Sequence, residues 1–330
     1  MGNACRMARV GLVLGGGGLV GQAYHAGVLA ALEHDLGWDP RDADTIVGTS
    51  AGSLTGVLLR SGVPASELAA WLVEAEVSAR TRAMFASLDR EIVFDPLEWR
   101  SFLRPGLPSV GLLHGLLVPP RSRVVTAALT LLRAERVVVD ELAFLDAVTD
   151  GTWPDAPFLV CTVRRTDGRR VVFGLERDEP RPSTQLATAA SCAVPGYFAP
   201  VTIAGVDYID GGAHSITNAD VLATSGRTFD VVIVVSPMSC AGRTPLTLGG
   251  TVRRLARRAL RNELATLEAV AERIVVFEPG PSALDAMGDD VMNRRVLADV
   301  VREAFLETAG QLDSCADARR LLDLRSVAAA

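Results

Sequence analysis

The chain has 330 residues, 49% of them hydrophobic and 5% aromatic, with 33 basic residues against 39 acidic ones and a net charge of −6. That length suits one large α/β domain or two small ones, and either buries a full core. The acidic balance argues against a general nucleic-acid binder, which needs a basic face for phosphates.

Val10 to Leu14 reads as a short buried strand, β-branched and closed by glycine. From Gly21 the spacing of Ala23, Ala26, Val28, Leu29 and Leu32 predicts a helix ending near Gly37. Asp44 to Val47 is a second strand, Ser50 to Arg60 a helix closed by Gly62, and Pro64 to Ala79 a further helix with proline in its first turn. Ile92 to Pro120, rich in Leu, Phe, Trp, Pro and Gly, reads either as a cap over an acyl-chain groove or as an ordinary helical layer. Phe158 to Arg164 and Arg170 to Gly174 form paired strands around Thr166-Asp167-Gly168. Gln185 to Cys192 is a short helix, and Val201 to Ile209 holds strand segments turning at Gly205. Asp230 to Val235 and Arg273 to Phe277 are the last strands, and helices at 293–311 and 316–324 follow. Strands alternating with helices predict an α/β fold, its sheet mostly parallel and covered on both faces.

Five scattered cysteines, Cys5, Cys161, Cys192, Cys240 and Cys315, form no Cys-x-x-Cys pair, so neither a disulfide framework nor a zinc site is expected. A reducing cytoplasm fits that usage. The first ten residues lack the apolar core of a signal peptide, and no apolar run reaches the roughly eighteen residues of a spanning helix. The expectation is a cytoplasmic protein that touches a membrane, if at all, only at its surface. No metal or cofactor is expected.

Two glycine-bearing turns concentrate the chemistry. Gly16-x-Gly18-x-x-Gly21, after a strand and before a helix, has the spacing of a dinucleotide fingerprint. That reading needs an acidic residue at the end of the second strand, and the strand ends in Gly48-Thr49-Ser50 instead. The other reading is that the run Gly15–Gly18 brings backbone N–H groups up to a substrate atom at a helix N-terminus. Gly48-Thr49-Ser50-Ala51-Gly52 is a Gly-x-Ser-x-Gly elbow between strand and helix. Gly48 and Gly52 relieve crowding where a nucleophilic serine must be held exposed, whereas a plain N-cap serine would need neither.

A serine needs a base. His25 and His34 precede the elbow and His214 follows Asp210 by four residues, so a Ser–acid–His order is hard to assemble. Asp210 ends a short strand and is followed by Gly211-Gly212. It reads as an Asp-Gly turn or as a carboxylate that meets a hydroxyl directly.

Together, the glycine run with Gly21, the Ser50 elbow, Asp210-Gly211-Gly212, the stretch Ala23–Leu29 and the stretch Ala193–Val201 resemble the patatin-like phospholipase family over residues 8–225. The resemblance implies a three-layer α/β fold and a serine acyl hydrolase acting on lipid esters. It implies a dyad of Ser50 as nucleophile and Asp210 as base, with an oxyanion hole from the Gly16, Gly17 and Gly18 amides. Residues 226–330 are expected to extend the same domain. The sequence departs from the family in one place: Val20 stands where the loop usually carries Arg or Lys, which weakens any inference to a phosphate headgroup.

A basic amphipathic segment, Val252 to Arg261, groups Arg253, Arg254, Arg257, Arg258 and Arg261 on one predicted face. It is either a solvated helix face or a contact for anionic membrane lipid. Three functions compete: a lipid acyl hydrolase, an acyltransferase or thioesterase using the same dyad, and a nucleotide-binding regulatory protein.

Overall fold

A computed structural model of the chain describes residues 8–86, 134, 137–175, 180–240, 242 and 248–314. Its strands are β1 (Val10–Leu14), β2 (Thr45–Thr49), β3 (Phe158–Arg164), β4 (Arg170–Phe173), β5 (Val201–Ile203), β6 (Val206–Asp210), β7 (Phe229–Val235) and β8 (Ala271–Phe277). They form one sheet in the order β5-β6-β3-β2-β1-β7-β8, with β4 also paired to β3. The stretch from β3 to β8 is parallel throughout. Antiparallel pairing is confined to β4, β5 and β6.

The described helices are α1 (Gly18–Ala31), α2 (Ala51–Arg60), α3 (Ala65–Leu72), α4 (Ala79–Phe85), α5 (Val138–Glu141), α6 (Phe144–Thr149), α7 (Thr184–Ser191), α8 (Val221–Thr224), α9 (Leu248–Leu267), α10 (Pro281–Met287) and α11 (Leu297–Ser314). They build the two outer layers. All of β1 is buried, as a parallel strand covered on both faces must be. Val10, Leu12 and Leu14 pack into the core that holds α1, α2, α3 and α11 side chains. Val13 points the other way, into a second core with Val47, Val234, Leu222 of α8 and Leu260 of α9.

Three expectations change. The predicted helix over 64–79 ends at Leu72, where Glu74 with φ 58 breaks it, and α4 begins only at Ala79. No glycine marks that break in the sequence. The first helix begins at Gly18 rather than Gly21. The arginine-rich helix α9 presents a different face to the protein than the pattern predicts. Arg253 is buried with Ala256, Leu260 and Glu263, while Leu255 is 64% exposed. The Arg253 guanidinium donates to Pro237 O at 2.7 Å, and Arg257 lies 3.7 Å from Glu278. Arg253 and Arg257 are therefore tied into the protein. The predicted cap over 92–120 and the helix over 316–324 fall outside the described residues. No helix among the described residues is long and apolar enough to cross a membrane.

Candidate active site

Strand register brings the two expected site residues together. Thr49, the last residue of β2, pairs with Cys161 of β3, and Asp210, the last residue of β6, pairs with the next residue, Thr162. One strand thus carries both of these strand ends at adjacent rungs. Asn218 ties them again from outside the sheet: its amide donates to Thr49 Oγ1 at 3.1 Å and to Gly211 O at 3.3 Å.

Ser50 follows Thr49 with φ 52 and ψ −122, a strained conformation for a residue with a side chain. The turn is so tight that a Cβ on Gly52 would lie 1.9 Å from Leu14 O. A Cβ on Gly48 would lie 2.5 Å from the Ser53 Cα, so both flanking glycines are required by close approach. The Ser50 N–H donates to Ser191 Oγ at 2.8 Å, and the Ser191 hydroxyl donates onward to Cys161 O at 2.7 Å. Ser191 is fully buried and pins the elbow to β3. In the sequence it stands out only as part of the end of a short helix, next to the family-like stretch that opens at Ala193. Nothing in the sequence marks Asn218.

Asp210 is 4% exposed. Its Oδ1 accepts the Gly212 N–H at 2.6 Å, whereas Oδ2 is buried without a hydrogen-bond partner among the described residues. Burial raises its pKa to about 7, opposed by the Ser50 hydroxyl and the Gly212 amide, which favour the charged form. Gly211 lets this turn lie flat on β3, because a Cβ there would stand 2.3 Å from Cys161 O.

The glycine loop approaches the elbow from the other side. A Cβ on Gly16 would be 3.3 Å from the Ser50 Cβ. The Gly15 N–H donates to Val235 O at 2.9 Å and the Gly16 N–H to Ile216 O at 2.8 Å. Gly16 holds the loop in place, its amide taken up by Ile216 O. The amides of Gly17 and Gly18 make no hydrogen bond among the described residues, as the first N–H groups of a helix should.

No described imidazole stands in for Asp210. His25 is wholly buried on α1 with Nδ1 3.3 Å from Thr55 Oγ1, and burial lowers its pKa to about 3. His214 is lowered to about 4, first by burial and then by Arg170. His34 pairs with Asp35 on the surface. Cys192, beside the site, has its thiol pushed up by burial and by the charge of Asp210, so it stays protonated.

A cavity of about 520 Å³ opens at Ser50 and Gly18. Its wall includes Leu54, Leu58, Leu68, Trp71, Phe85 and Phe144. Such a space suits an alkyl chain, since removing apolar surface from water supplies its affinity.

Among solved structures, the chain is similar to the type III effector protein ExoU, at 17% identity and a TM-score of 0.36 over 93% of this chain and 53% of that one. It is similar to VipD from Legionella pneumophila, at 14% identity and a TM-score of 0.40 over 96% of this chain and 67% of that one. It is also similar to human GIVD cytosolic phospholipase A2, at 13% identity and a TM-score of 0.40 over 97% and 59% respectively. The chain thus spans between 53% and 67% of the length of these structures. No curated protein sequence matches it. The patatin-like phospholipase family model matches residues 12–223, a stretch that holds the glycine loop, the Ser50 elbow and the Asp210 turn; the chain belongs to that family.

Proposed function

We propose that the protein is a serine lipid acyl hydrolase with a two-residue relay of Ser50 and Asp210. The observation that carries this reading is the pairing of a strained, cavity-lining serine with a buried carboxyl whose pKa of about 7 suits proton acceptance at neutral pH. As Ser50 Oγ bonds to the acyl carbon, its proton passes to Asp210. The Gly17 and Gly18 amides hold the oxyanion, where preorganised donors contribute most. The C–O bond to the alcohol then breaks, and the proton on Asp210 goes to the departing alkoxide. Water, deprotonated by the same carboxylate, attacks the acyl-enzyme and releases the carboxylic acid and free Ser50. The apolar cavity wall speaks for an acyl chain rather than a dinucleotide, whose pyrophosphate would need polar partners along it.

Labelling by an alkyl fluorophosphonate, with hydrolysis of a p-nitrophenyl alkanoate, tests the assignment. Wild type is expected to be labelled, and Ser50→Ala to lose label and on the order of 10⁴-fold or more in kcat. Undiminished hydrolysis by Ser50→Ala would remove Ser50 from the reaction.

A further inference from the structure

Asn218 is wholly buried and takes φ 53, a left-handed turn that asparagine tolerates better than most side chains. Its Oδ1 faces Arg170 of β4, whose Nη1 donates to it at 3.1 Å. A guanidinium carries only donors, so this contact fixes which way round the amide stands. The Nδ2 hydrogens are thereby turned toward Thr49 and Gly211, with Ser215 O as a third acceptor. Arg170 is itself held by Asp220, both of whose carboxylate oxygens accept from it at 2.7 Å. The same short segment reaches the glycine loop, because Ile216 O accepts the Gly16 N–H. It also reaches the chain just past β7, where the Thr217 and Ser236 hydroxyls lie 3.1 Å apart. Glu263 of α9 accepts the Ala219 N–H at 2.8 Å and closes the set. Residues 216–219 thus form a junction at which the elbow strand, the Asp210 turn and the glycine loop meet.

We propose that Asn218 is a positioning residue for the Ser50–Asp210 relay: oriented by the Arg170–Asp220 pair, its amide holds the end of β2 against the Asp210 turn and so sets the approach of hydroxyl to carboxyl. Thr49 precedes Ser50 and Gly211 follows Asp210, so one side chain grips the backbone one residue from each reacting group. Ser191 holds the elbow to β3, and Asn218 holds it to the base. A strained residue such as Ser50 keeps its conformation when its surroundings over-determine it, and two independent grips do so. Misplacing reacting groups by about 1 Å can cost on the order of 10²-fold in rate. The effect belongs in kcat, because the apolar wall that takes the chain is built from α2, α3, α4 and α6 instead. The proposal rests on the ester-hydrolase reading above.

The test compares wild type with Asn218→Gly, which keeps the left-handed turn and deletes the amide, and with Asn218→Asp, which keeps the oxygen facing Arg170 and deletes both donors. Hydrolysis of a p-nitrophenyl alkanoate, well below each thermal midpoint, is expected to show kcat down about tenfold or more in both, with KM little changed. Thr49→Val removes the hydroxyl that receives the amide and leaves Asn218 in place. The double variant Thr49→Val/Asn218→Gly is expected to lose less than the product of the two single losses, as partners in one bond do. A second arm measures deuterium uptake by peptides covering residues 48–54 and 210–214, with a β7 peptide as reference. Asn218→Gly is expected to speed exchange in both site peptides and to leave β7 as in wild type. Unchanged kcat overturns the proposal, as does a rise in KM alone, or faster exchange in β7 to the same degree, which would make Asn218 a general prop of the fold. Failure of wild type to hydrolyse the ester and to take up fluorophosphonate would instead bring down the hydrolase reading. The exchange arm then decides for Asn218: joint loosening of the two site peptides supports its hold on both, and unchanged uptake overturns it.

Discussion

Asp210 is a carboxyl placed where its charge is unwelcome. An aspartate in an unfolded chain titrates near pH 4, whereas burial holds this one at about 7. As a base it must be ionised, so kcat/KM on a soluble ester is expected to rise with pH and reach half its maximum near 7, falling away as the carboxyl takes up a proton below that. A profile flat between pH 5 and 9 would deny Asp210 that role. Linkage gives the opposite trend for the fold. Between about 4 and 7 the folded state holds a proton that the unfolded state has released, so stability declines as pH rises across that window. Asp210→Asn keeps an oxygen to accept the Gly212 N–H and removes the charge. Urea unfolding at pH 8 is expected to find it more stable than wild type by a few kcal/mol at most, on the order of 1–4, and without turnover. At pH 4 the two proteins are expected to differ little.

At the scale of elements, the elbow and α7 are joined by one hydroxyl. Ser191 satisfies the Ser50 amide and the Cys161 carbonyl together, so Ser191→Ala leaves a buried N–H unpaired at the strained residue. Such a loss costs about 1–3 kcal/mol. The expected outcome is a drop of about that size in unfolding free energy, with a fall in kcat larger than any change in KM, because the elbow loses its anchor rather than its binding wall. A rise in KM alone would place Ser191 among the binding residues instead. The strands were readable in the sequence because parallel strands covered on both faces appear as apolar, valine-rich runs, such as Val10–Leu14 and Val231–Val235. The elbow was readable because only glycine fits at 48 and 52. Ser191 was not, since one serine at the end of an alanine-rich helix carries no periodic signal. The burial of Arg253 was hidden for a related reason: a helical wheel groups arginines together, but the carbonyls of Pro237 and Ser239 that receive this one lie in another segment.

At the scale of the molecule, the cavity lies between helices that come together only in the folded chain. Leu68 of α3, Phe85 of α4 and Phe144 of α6 contribute to one wall. If that wall holds the acyl chain, Leu68→Trp fills part of the space and is expected to shift the best p-nitrophenyl ester to a shorter chain, with activity on the shortest esters retained. Chain-length profiles of wild type and variant measured side by side decide this, and identical profiles would put the chain elsewhere. The sequence could not foresee the wall, because the residues that make it follow no common period and come from separated helices.

The glycine loop is stitched into the protein by Val235, Ile216 and Val291, whose carbonyls receive the amides of Gly15, Gly16 and Val20. A ribosome makes Val291 long after the loop and the Ser50 elbow. The emerging polypeptide therefore carries Ser50 and the loop before this stitch can close, so on the proposed reading an unfinished chain would lack the arrangement that attacks an ester.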